Sequence, residues 1–158
     1  MSGADLMEGT QLARGILRRT AERAAEFEQH TGSRPCLATV IAGDDPGSLT
    51  YVRMKQNRAA NAGIESRYVP LPADTTTSAL TEVITGLSRD PAVHGILLQH
   101  PVPPQVDERA VFEAISPGKD VDGVTMHSFA AMSFGLPGFA SCTPAAIMRL
   151  LDAYGVSP

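Results

Sequence analysis

Long apolar runs are missing from this chain. No stretch approaches the roughly 20 apolar residues that span a bilayer. The opening residues, MSGADLMEGT, lack a basic start followed by an apolar segment, so no signal peptide is expected. Basic excess is missing too: 13 Lys and Arg stand against 17 Asp and Glu, giving a net charge of -4. That balance offers no footprint for a nucleic-acid backbone and no Lys/Arg cluster for a membrane surface. Cysteine is scarce. Cys36 and Cys142 have neither a CxxC partner nor a Cys/His ligand spacing, which argues against a disulfide framework and for a reducing compartment. His30, His94, His100 and His127 are scattered without metal spacing, and the EF-hand pattern is absent, so no metal is expected. The histidines read as surface or loop residues. A Gly-x-Gly-x-x-Gly turn is lacking as well, and with it the usual dinucleotide cradle. The expectation is a soluble, cytoplasmic protein without nucleic-acid or membrane partners.

What is present is enough for one good-sized domain: 158 residues, 43% of them apolar and 19% charged. Apolar positions from Ala4 to His30 fit a helix that Thr31-Gly32 ends. CLATVIAG (36–43) reads as a buried strand rich in β-branched residues. Asp45 then suits a helix cap and Pro46 its first position, with Gly63 closing a helix that runs to Ala62. SRYVPL (66–71) is a second strand. TTTSALTEVITGLSRD (75–90) is a helix, GILLQHP (95–101) a third strand, and DERAVFEAI (107–115) a short helix. SPGKDVDG reads as a polar loop. SCTPAAIMRLLDAYG (141–155) is a helix with Thr143 as cap. Short apolar strands alternating with helices imply βαβ units: a three-layer α/β domain with a mostly parallel sheet flanked by helices. Such sheets bind ligands beyond the carboxyl ends of their strands.

That rule directs attention to SLTYVRMK (48–55). Ser48, Tyr51 and Lys55 are three and four residues apart, so a helix stacks them in one line starting near the ligand edge. Spacing alone leaves two readings open, a solvated helix face or a row of polar groups aimed into a pocket. Gln99 ends an otherwise apolar strand, where an amide is costly unless hydrogen-bonded. It serves either a ligand or a neighbouring loop. KDVDG places Lys119, Asp120 and Asp122 around one valine, which turn chemistry by itself can explain.

The order of these motifs carries more than each one alone. SxxYxxxK after an apolar strand and a GDDP turn, then GILLQHPVP, then PGKDVDG, then CTP opening a helix, resembles the bifunctional methylenetetrahydrofolate dehydrogenase/cyclohydrolase family. The resemblance runs from about residue 36 to the end of the chain. It implies NADP-dependent oxidation of 5,10-methylene-tetrahydrofolate to the methenyl form, then hydrolysis to 10-formyl-tetrahydrofolate. By resemblance Lys55 matches the catalytic lysine, Tyr51 the tyrosine on the folate rings, and Gln99 the glutamine bonded to the lysine. Asp122 matches the aspartate that grips the pterin edge, and Ser48 a serine of the same pocket.

The residue types suit that chemistry. A carboxylate can accept from adjacent donors on a pterin edge. Water adding to a cationic carbon releases a proton, which a neutral lysine can take or relay, and desolvation or a cationic substrate favours the neutral form. Two departures stand out. His100 occupies a position where many relatives have leucine, on the strand face opposite Gln99 if the strand alternates. The sequence also stops at Pro158 without the glycine-rich Rossmann-like NADP domain that the family carries. The resemblance therefore implies a catalytic folate-binding domain over 1–142 and, over 143–158, the start of a helix toward that domain. A fragment of this kind is expected to be weakly active, and its parent a homodimer. Alternative readings are a monofunctional cyclohydrolase and a non-enzymatic α/β binding module. An inactive folate-family domain kept for assembly is a further one, which an exposed apolar face on the last helix would favour.

Overall fold

A computed structural model describes residues 6–156. Helix α1 spans Thr10–Thr31. The expected start at Ala4 lies outside the described residues, and Leu6 and Met7, expected inside the helix, precede it as exposed irregular chain. Gly9 stands at the cap position, where its poor helix propensity costs least. The helix stops at Gly32, whose φ of 75° is left-handed and whose N–H returns to Glu28 O.

Strand β1 (Cys36–Ala42) is central, between β2 (Glu65–Leu71) and β3 (Gly95–Gln99), and both pairings are parallel. The order β2-β1-β3 is the α/β sheet the sequence predicts. Pro70 falls inside β2, which is an edge strand, the place where a residue without an N–H is tolerated. Helix α2 (Pro46–Asn61) connects β1 to β2, and α3 (Thr77–Arg89) connects β2 to β3. Asp45 caps α2 as predicted: its Oδ2 accepts from Ser48 N at 2.7 Å, and Pro46 occupies the first turn. That hydrogen bond holds the Asp45 carboxyl below its ordinary range. Thr76 caps α3 by accepting from Ala79 N.

Successive strand residues face opposite sides of the sheet. One side carries Ala38, Val40, Ala42, Ile96 and Leu98, which pack with Leu80 and Ile84 of α3 and with Val111 and Phe112 of α4 (Glu108–Glu113). The other side carries Leu37, Thr39, Ile41, Leu97 and Gln99 beneath α2, whose Val52 is buried. Helix α1 closes the amino-terminal end of the strands, with Phe27 edge-on to His94. The His94 imidazole is half-buried and accepts from Cys36 N, so it is a structural group and not the plain loop residue expected.

Three further expectations need correction. The SPGKDVDG segment is more than a polar loop. It contains a 3-10 turn over Pro117–Lys119, and Asp120 forms a bridge beside Ile96 at the free edge of β3. Helix α5 (Met126–Ser133) was not expected. Its cap is Thr125, which accepts from Ser128 N. The last helix, α6 (Cys142–Ala153), begins one residue before the predicted cap Thr143 and has Ser141 at its cap position. The Ser141 hydroxyl makes no cap bond because it donates to Gly123 O instead, a competing local carbonyl.

Candidate active site

The chain leaves β1 through Gly43, at a φ of 93°, and enters α2 directly over the carboxyl end of the sheet. Ser48, Tyr51 and Lys55 follow along one side of that helix. Ser48 is buried, Tyr51 is 59% exposed and Lys55 is half-buried. Lys55 Nζ donates to Gln99 Oε1 at 3.1 Å, and Gln99 Nε2 donates to His100 O at 2.7 Å. Both ends of the buried amide are thereby satisfied, and the amide fixes where the lysine nitrogen sits. Within SLTYVRMK, Lys55 is the residue that turns in to the sheet, onto Gln99. Ser48 is different: its N–H serves the Asp45 cap. Tyr51 presents an open ring at the rim.

The three charges of KDVDG divide. Lys119 Nζ donates to Leu87 O and Asp90 O, stopping the carboxyl end of α3. Asp120 is fully buried and accepts from Val124 N at 3.1 Å, Thr125 N at 2.9 Å and Ser128 Oγ at 2.6 Å. Burial alone pushes its carboxyl upward, but the bonds from Ser128, Thr125 and Val124 outweigh that and leave it below the ordinary range. Asp122 is half-buried and takes no part in that network. Its neighbour is Cys142, a residue for which the sequence suggested no site role. Protein packed around the thiol, followed by the nearby Asp122 carboxylate, pushes the Cys142 pKa up to about 11, although the residue keeps solvent contact. Cys142 therefore stands beside the Asp122 turn, and the CTP motif was the signal for it.

His100 points away from this group, as alternation requires. Its ring stands edge-on to Phe112 at 6.1 Å and lines a separate cleft of about 540 Å³ with Arg109, Met126 and Phe129. Among the described residues no group of three His, Cys, Asp or Glu side chains could hold a metal ion, and no helix is long and apolar enough to cross a membrane.

The described residues do not fit a dinucleotide. The turn after β1 is the place for a pyrophosphate in such a sheet. Here the Asp45 carboxylate already occupies the amino end of α2 and would repel a phosphate.

The fold and the site together define an α/β domain with a lysine and an amide joined at the ligand edge of a parallel sheet. Residues 7–122 match the family described as tetrahydrofolate dehydrogenase/cyclohydrolase, catalytic domain. The bifunctional protein FolD 1 of Streptomyces avermitilis is 67% identical over 153 residues, covering 97% of this chain and 53% of that protein. Among solved structures, the bifunctional FolD methylenetetrahydrofolate dehydrogenase/cyclohydrolase of Campylobacter jejuni superposes with a TM-score of 0.91 at 35% identity, over 96% of this chain and 54% of that one. The Trypanosoma brucei FolD, complexed with NADP and an inhibitor, gives a TM-score of 0.91 at 34% identity, over 99% and 54%. The chain belongs to the tetrahydrofolate dehydrogenase/cyclohydrolase family. It spans about half the length of the curated relatives it matches.

Proposed function

We propose that this chain supplies the folate-binding and proton-handling side of a bifunctional methylenetetrahydrofolate dehydrogenase/cyclohydrolase. The observation that carries the reading is the Lys55–Gln99 hydrogen bond of 3.1 Å at the sheet's ligand edge. Asp122 receives the pterin edge, and Tyr51 offers its exposed ring to the folate. Ser48 forms the pocket floor through its place in the helix cap. When water adds to the methenyl carbon, a C–O bond forms, the C=N π pair returns to nitrogen and one proton leaves; the hydroxyl proton then passes to N5 as the C–N5 bond breaks, which leaves the formyl group on N10, and the proton released is the one from the addition. Lys55, as the neutral amine, accepts it, and Gln99 orients the lysine without forcing a charge on it, as a carboxylate would. The region 1–142 acts as the catalytic domain, and 143–158 as the start of the connection to an NADP-binding part. The product feeds one-carbon chemistry such as purine synthesis in the cytoplasm, and the working unit is a homodimer.

Calorimetry with a folate analogue tests the reading. The intact chain binds, Asp122→Ala loses about ten- to a hundred-fold in affinity, the scale of hydrogen bonds to a charged group, and Lys55→Met keeps most of it. Equal binding by the intact chain and Asp122→Ala would refute the assignment. Because the described residues do not fit a dinucleotide, the 158-residue chain alone makes no steady NADPH signal from methylene-tetrahydrofolate. One observation favours a second reading. Ile147 and Met148 of α6 are about half exposed, at 54% and 48%, and with α1 the helix lines an apolar groove. That suits a folate-family domain kept for assembly, which would bind no folate in the same titration.

A further inference from the structure

Asp122 makes no hydrogen bond to its own loop that would hold it, yet the segment around it is gripped from two sides. On the sheet side, the place where a Cβ on Gly95 would sit is only 2.7 Å from Val121 Cγ1, so the valine lies directly on the bare backbone of β3. Gly123 N also returns to Asp120 O, which ties the turn to the buried Asp120 network. On the α6 side, the contact is closer still. A Cβ on Gly123 would meet Ser141 N at 2.6 Å, Ala140 C at 2.7 Å and Ala140 O at 2.9 Å, and Gly123 itself is buried with a φ of 67°. Ser141 Oγ donates to Gly123 O at 3.0 Å, and the Cys142 thiol to Val121 O at 3.6 Å. The carbonyl of each residue flanking Asp122 is thus hydrogen-bonded to the entry of α6.

Resting on the folate reading above, we propose that Ser141 and Cys142 are positioning residues for Asp122: the entry of α6 clamps the carbonyls on both sides of the carboxylate and so sets its aim at the substrate. A hydroxyl diverted from its own helix cap to Gly123 O is what such a clamp requires. The sequence Ser-Cys at the start of α6 therefore has a task besides starting a helix. The clamp works through Asp122 and need not touch the substrate.

A double-mutant cycle on folate-analogue affinity tests this in the 158-residue chain. Ser141→Ala and Cys142→Ala each lower affinity about five-fold, the scale of one ordinary hydrogen bond, and Cys142→Ser restores most of the loss. In an Asp122→Ala background the same two substitutions change affinity by less than two-fold, because their effect runs through that carboxylate. A purely structural role would lower the melting temperature and leave the effects undiminished in the Asp122→Ala background. Binding by the intact chain with unchanged affinity in Ser141→Ala and Cys142→Ala would overturn the clamp alone. Absence of binding by the intact chain would overturn the folate reading and the clamp with it. Should one alanine variant fail to fold, the other completes its own cycle.

Discussion

The two faces of the sheet are finished differently. Toward α3 and α4 the strands offer Ala38, Val40, Ala42, Ile96 and Leu98, and every one of them meets apolar side chains. Toward α2 the same strands carry Thr39, whose buried hydroxyl has no partner among the described residues, and Gln99, which waits at the ligand edge for Lys55. One face is closed by packing, and it can be optimised for stability. The other mixes apolar burial with polar groups whose partners are few and aimed. Strands of identical period thus serve two ends, and the division falls on alternate residues.

Substitutions can break this division in order of size. Lys55→Met strikes the aimed face: cyclohydrolase turnover of the parent enzyme should fall by about a hundred-fold or more, the scale of a lost proton-transfer group, with the thermal midpoint almost unmoved. Leu80→Ala strikes the closed face. Leu80 is fully buried, so unfolding in urea should show a loss of about 3 kcal/mol while folate affinity in the folded protein stays the same. Asp120→Asn lies between the two. It weakens the acceptor of three donors and should cost about 2 kcal/mol at neutral pH. Its pH signature follows from the sign of the shift. The folded carboxyl lies below the unfolded value of about 3.9, so its stabilising share is complete above that pH and is lost as pH falls through the folded value. The intact chain should destabilise steeply below about pH 4, and Asp120→Asn should be flatter there. The smallest effect belongs to neither face. Arg67 and Asp90 pair at 2.6 Å, but with side chains 36% and 34% exposed, and Arg67→Ala should cost under about 1 kcal/mol by the same urea measurement.

Much of the fold could be read from residue order. The strands announced themselves as short apolar runs, and Asp45, Pro46 and Gly63 marked α2 because caps have specific chemistry. Lys55 and Gln99 could be paired through the family resemblance, and the structure joins them. The illegible parts share a cause. Asp120 and Asp122 look alike in sequence, and only the buried donors of residues 124–128 separate a structural carboxylate from an available one. Helix α5 has just two buried residues, Ser128 and Ala131, too few to set a period. The Thr143 cap failed because α6 already begins at Cys142, which leaves Thr143 inside the helix, and Ser141 at the cap position gives its hydroxyl to Gly123 O 18 residues away.

Pro70 in the outer strand β2 has a consequence for the protein's life in a crowded cell. A parallel edge strand left open is a template on which another chain can add itself, and repeated addition is how aggregates grow. Proline supplies no N–H at that position, and the charges of Glu65 and Arg67 lie along the same strand. The far edge of the sheet is guarded in another way, by the bridge at Asp120. Both flanks of this small sheet are therefore poor seeds, and a Pro70→Val chain would be expected to lose solubility on expression before it lost any of its fold.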